Sequence, residues 1–142
     1  MIRRLTACTI VALACGDAEP PPLQTPVLDS AARAALADSA EIARGQAVYQ
    51  VSCSECHTIQ PPPLTAPPLA EISRRYRELF ADREDALRYL IDYTSAPDLA
   101  NARLDQRHLD EWGLMPSVIL PENDLHAVAR WVWELAARDS TL

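Results

Sequence analysis

The chain has 142 residues, which leaves room for one domain with a leader and a linker rather than for two domains. With three glycines, twelve prolines and few β-branched runs, it favours helices joined by proline-rich loops over a sheet, so an all-α fold is expected. All 13 basic residues are arginines, set among 20 acids for a net charge of −7; this interleaving argues against a nucleic-acid surface and for a partner with a positive face.

Met1 to Arg4 form a short basic start, and Leu5 to Ala14 add ten largely apolar residues. Residues 1–14 therefore read as an export signal, too short to span a bilayer as a helix. The stretch ending in Cys15 resembles the lipobox of bacterial lipoproteins, with Ala12 where leucine is usual. Cys15 is then the candidate lipid anchor, an ordinary cleaved signal being the alternative, and the destination is the periplasm or the outer face of the cytoplasmic membrane. Loss of residues 1–14 removes two arginines and no acid, leaving 11 arginines against 20 acids. Residues 15–37 read as a tether: 17–28 are rich in proline and acid without an apolar period, and 29–37 turn to alanine and arginine, which favour helix but bury little.

The domain proper is expected over 38–142, with about four helices. Asp38 and Glu41 have the form of a capping box, and Ile42, Gly45 and Tyr49 then share one helical face running into Cys53. Gly45 inside a helix costs about 1 kcal/mol relative to alanine, which a close helix crossing would explain. A second helix is predicted over Ile72–Leu79, carrying Ile72, Tyr76 and Leu79; a third from near Asp82 to before Pro97, carrying Leu87, Leu90 and Ile91. The last starts after Pro121, where Glu122, Asn123 and Asp124 suit a helix N-terminus, and carries Leu125, Val128, Trp131, Val132 and Leu135. Residues 98–121 are expected to be a loop with one short polar helix over Arg103–Glu111, stopped by Gly113.

The chemistry concentrates in Cys53-Ser54-Glu55-Cys56-His57. C-x-x-C-H is the attachment sequence of c-type haem: each thiol bonds one vinyl side chain and the adjacent imidazole lies beneath the iron. A thioredoxin-like C-x-x-C would want a βαβ pattern around it, and a structural zinc site a second ligand pair, whereas the other two cysteines lie at Cys8 and Cys15. A plain disulfide is the fourth reading.

Gly45, Tyr49 and Cys53 match, in type and spacing, the glycine, aromatic and first haem cysteine of class I cytochromes c, and over residues 38 to 138 the chain resembles that family. The resemblance implies one covalently bound haem c wrapped by helices, the glycine helix crossing the C-terminal helix with Trp131 over Gly45. Ala66-Pro67-Pro68-Leu69 is similar to the family's Gly-Pro-x-Leu segment, apart from Ala66, which implies that the Pro67 carbonyl orients His57.

Met115 is the one methionine outside the leader, and Gly113-Leu114-Met115-Pro116 is similar to the family's distal loop, which implies axial iron ligation by His57 and Met115. A core gap-filler is the plain reading of a lone methionine, and His108 is the rival ligand, although its segment reads as polar and exposed. His126 is read as a surface residue. Leu69, Tyr76, Leu87, Leu90, Ile91, Trp112 and Leu114 are candidates to line the haem pocket, with Tyr76, Arg75 or Trp112 in reach of a propionate. A closed His/Met site implies a single-electron carrier and not an enzyme, working between redox protein partners such as a membrane reductase and a terminal oxidase. A haem enzyme or gas sensor with an open sixth position, or the cytochrome subunit of a larger complex, are the alternatives.

Overall fold

The computed structural model describes residues 29–103 and 105–139; the expected export signal, Cys15 and the first part of the expected tether lie outside them. Among the described residues all regular structure is helical: α1 (Ser30–Ser52), α2 (Leu69–Leu79), α3 (Arg83–Ser95), α4 (Gln106–Trp112) and α5 (Glu122–Asp139).

Helix α1 starts earlier than the Asp38–Glu41 spacing suggests. Asp29 is its N-cap, with Oδ1 accepting from the N–H of Ala32 at 2.7 Å, and the alanine-rich stretch that follows propagates the helix on propensity with its surface exposed. Asp38 and Glu41 are therefore not a capping box. They sit on one face a turn apart and grip Arg130 of α5, at 2.8 Å and 2.7 Å. The only buried residues of α1 are Gly45 and Tyr49.

Helix α2 begins at Leu69 rather than Ile72, because its first N–H groups are taken up from a distance: Leu69 donates to the Thr58 carbonyl at 2.9 Å and Ala70 to that of Ile59 at 3.0 Å. Asp82 caps α3 as expected, its Oδ1 accepting from Glu84 and Asp85 at 2.8 Å and 3.2 Å, and the helix ends ahead of Pro97. The short helix α4 starts at Gln106, not Arg103, because Asp105 caps it; Gly113, at φ +72°, ends it. Helix α5 follows Pro121, whose carbonyl accepts from Asp124 and Leu125.

Helix α5 is the centre of the fold, buried on two sides. One side packs Val128, Trp131, Val132 and Leu135 against Tyr49 of α1 and Leu69 of α2; the other packs Ala129 and Trp133 against Tyr76 of α2 and Ala86, Leu87 and Leu90 of α3. Between α1 and α5 the approach is close enough that a Cβ on Gly45 would meet the Ala127 carbonyl oxygen and stand 2.5 Å from Trp131 Cβ. Between α2 and α5 a fully buried Ser73 hydroxyl donates to the Trp133 carbonyl at 3.2 Å and accepts from the Ala136 N–H at 3.0 Å. Arg77 lies over the Trp133 ring, 4.5 Å from its centroid, and donates to the same carbonyl.

Candidate functional site

The α1/α5 contact delivers one end of α1 to the motif. Cys53 is the C-cap: its N–H and that of Ser54 both donate to the Tyr49 carbonyl at 3.0 Å, and the chain then closes one further turn, His57 N–H to Cys53 carbonyl at 2.9 Å. That turn carries Cys53 half-buried, Cys56 exposed and His57 only 9% exposed. Tyr49 stacks on Trp131, ring centroids 4.8 Å apart, and its hydroxyl donates to the His57 carbonyl at 2.9 Å, so the helix contact and the histidine share one rigid support.

From the histidine the chain passes through a proline-rich loop and returns beside itself. The Thr58 and Ile59 carbonyls that start α2 hold residues 57–59 against 67–70, and this brings the Pro67 carbonyl oxygen to 2.8 Å from His57 Nδ1. A carbonyl accepts only, so Nδ1 carries the proton and Nε2 keeps its lone pair. Burial pushes the His57 pKa below its ordinary 6.5, with the Pro67 bond opposing, so the ring is a neutral base at physiological pH. Pro67 and Leu69 are buried, and Leu69 shares a cluster with Tyr49 and Trp131 against which Cys53 and Ile59 pack.

The two cysteines are free thiols. Burial and then the neighbouring Cys56 push the Cys53 thiol above 9.0. Cys53 also sits at a helix C-terminus, where the dipole disfavours a thiolate, whereas the attacking cysteine of a thiol oxidoreductase needs its pKa lowered, typically at a helix N-terminus. The arrangement does not suit a thiolate that exchanges disulfides.

Cys53, Cys56, His57, Pro67 and Leu69 are thus brought together. Tyr76 lies in the second cluster, 2% exposed, with its ring against Phe80 and Tyr89 and its hydroxyl toward that of Tyr89. Leu87 and Leu90 are buried, Ile91 and Trp112 half-buried, and Leu114 exposed; Arg75 pairs with Glu78. Met115 is half-buried in the segment after Gly113, which the Val118 N–H ties to the Thr94 carbonyl at the end of α3. Beside it stands Tyr93, which the sequence reading did not single out. Its hydroxyl is buried without a hydrogen-bond partner of regular geometry; burial and Tyr89 raise its pKa, and the Met115 main chain pulls it down.

His108 is not the exposed residue its polar segment suggests. Its side chain is largely covered, with Nδ1 2.8 Å from Asp105 Oδ1 and Nε2 3.3 Å from Glu71 Oε1, so both nitrogens are engaged. His126 is exposed, as expected. No family model, no curated protein and no solved structure matches the chain.

Proposed function

We propose that the chain is a monohaem c-type cytochrome that carries single electrons between redox proteins outside the cytoplasmic membrane, with a cytochrome c fold around one haem c. Cys53 and Cys56 would hold the haem through thioethers, and His57 Nε2 and Met115 Sδ would ligate its iron. The observation that carries the reading is the 2.8 Å contact between His57 Nδ1 and the Pro67 carbonyl, in a buried, neutral ring placed next to two free thiols. This donor set fits haem c: thiols for the vinyl groups, and an imidazole already locked in the tautomer that coordinates through Nε2.

When bound, the haem supplies a reversible one-electron couple. The protein's part is to hold its surroundings still. Tyr49, Trp131 and Gly45 fix the end of α1, and Pro67 fixes the ring plane and the basicity of His57. Met115 would come from the segment that the Thr94 carbonyl anchors, and a thioether ligand would favour the ferrous state over a second imidazole. His108 does not compete, because both its nitrogens face carboxylates. The export signal and a lipid anchor at Cys15, followed by the tether, belong to the same reading, with a redox partner that presents a positive face. No helix among the described residues is long and apolar enough to cross a membrane.

The test is the optical spectrum of the matured protein, ferric and then ferrous with and without carbon monoxide. A sulfur-to-ferric-iron band at long wavelength, lost in Met115→Ala, together with indifference to carbon monoxide, is expected. Carbon monoxide binding by the unaltered protein would move the assignment to a haem enzyme or gas sensor, and a protein without haem would end it.

A further inference from the structure

Helix α4 buries none of its seven residues, yet it leads through Gly113 directly into the segment that carries Met115. His108 joins it to the body of the protein, its Nδ1 facing Asp105 at the N-cap of α4 and its Nε2 facing Glu71 in the first turn of α2. A carboxylate only accepts, so both contacts are hydrogen bonds only while the ring carries both protons. The neutral ring has one N–H and turns a lone pair toward the other carboxylate.

We propose that His108 is a protonation-controlled clasp between α2 and α4, closed as the imidazolium and open as the neutral ring. The charged groups around it are Glu71, Arg74, Arg75 and Glu78 from α2, and Asp105 and Arg107 at the start of α4. Arg75 is engaged by Glu78, and the two groups that touch the ring are carboxylates. The bond to Asp105 raises the His108 pKa above 6.5, partial burial opposes it, and Glu71 adds to the rise. A raised folded-state pKa means that the clasp contributes fully below 6.5 and is lost as pH rises through the raised value. A second tie near this region, the Arg103 N–H to the Tyr89 hydroxyl at 2.9 Å, does not titrate there, because burial pushes the Tyr89 phenol above 10.0. Helix α4 therefore loosens on the alkaline side of the His108 titration while α5 does not. The clasp stands on the geometry of α2 and α4 and does not depend on the electron-carrier reading.

The experiment is an NMR titration of the full matured chain between about pH 5 and 9, following the His108 ring and amide exchange of residues 106–112 against α5 amides as the internal reference. The ring is expected to titrate above 6.5, and α4 protection relative to α5 to fall across that titration by about tenfold per pH unit of the rise. Glu71→Gln should lower the ring's pKa and shrink the fall, and His108→Gln should abolish it with α5 protection unchanged. A ring that titrates at or below 6.5, or α4 protection that stays flat across the titration, would overturn the proposal.

Discussion

His57 Nδ1 stands 2.8 Å from the carbonyl oxygen of Pro67, and this contact works against the burial that sets how the ring meets acid. Burial lowers the pKa of the ring below 6.5 and outweighs the Pro67 bond, which pulls it up. For a base whose folded-state pKa is depressed, stability is constant above 6.5 and declines only as pH falls from there toward the lowered value. In the haem-free chain the His57 ring should accordingly stay neutral as pH is lowered to 6.5 and take up its proton only further into the acid range, as an NMR titration of the ring would follow. A ring that titrates at or above 6.5 would mean that His57 is not held as a buried neutral base.

Gly45→Ala pits two effects of opposite sign against each other. Helix propensity favours alanine by about 1 kcal/mol. Against it, the new Cβ would stand 2.5 Å from Trp131 Cβ and closer still to the Ala127 carbonyl oxygen, atoms in or directly bonded to the backbone that cannot swing away. Overpacking of this kind typically costs about 1–3 kcal/mol and here should exceed the propensity gain. Denaturant titration should give a lower midpoint for Gly45→Ala, whereas a rise would show that α1 and α5 are free to separate.

The elements that the sequence discloses are those governed by near neighbours. Asp82 caps α3 through its own next residues, Gly113 ends α4 because it can take positive φ, and Pro121 precedes α5. The boundary at Leu69 is set instead by carbonyls of Thr58 and Ile59, across a loop with no periodic signal. Asp38 and Glu41 fit a capping box and a one-face pair equally well, and only Arg130, far along the chain, decides between them. The candidate site divides the same way. The Cys53–His57 turn follows from a compact motif and the His57–Pro67 contact is anticipated only through the resemblance of residues 66–69, while the hydroxyl of Tyr49 on the His57 carbonyl, Tyr93 beside Met115 and the two carboxylates on His108 arise from packing between helices and loops.

Two buried tyrosines should respond in opposite ways to loss of their hydroxyls. Tyr49→Phe removes a donor to the His57 carbonyl at 2.9 Å and leaves that carbonyl short of a partner, a loss of about 1 kcal/mol. Tyr93→Phe removes a hydroxyl that is buried without a regular partner, so stability should stay within about 0.5 kcal/mol or rise. Paired denaturation curves compare the two directly. A clear loss in Tyr93→Phe would show that its hydroxyl is bonded in the matured protein, with the Met115 segment as the neighbour to inspect.

Arg130 of α5 reaches back to the exposed half of α1. Its side chain is 15% exposed and bonds Asp38 and Glu41, of which Asp38 is largely in water, so screening discounts the pair well below a buried bridge. Arg130→Met keeps the packing of the stem and removes both contacts, and should lower global stability by only about 1 kcal/mol, with part of that difference erased by salt. The larger effect should be local. From Ser30 to Ala40 the helix is mostly exposed, so without Arg130 its amides should exchange faster while those around Gly45 and Tyr49 keep their protection. Equal acceleration at both places would mean that Arg130 supports the α1/α5 contact itself rather than the overhanging turns.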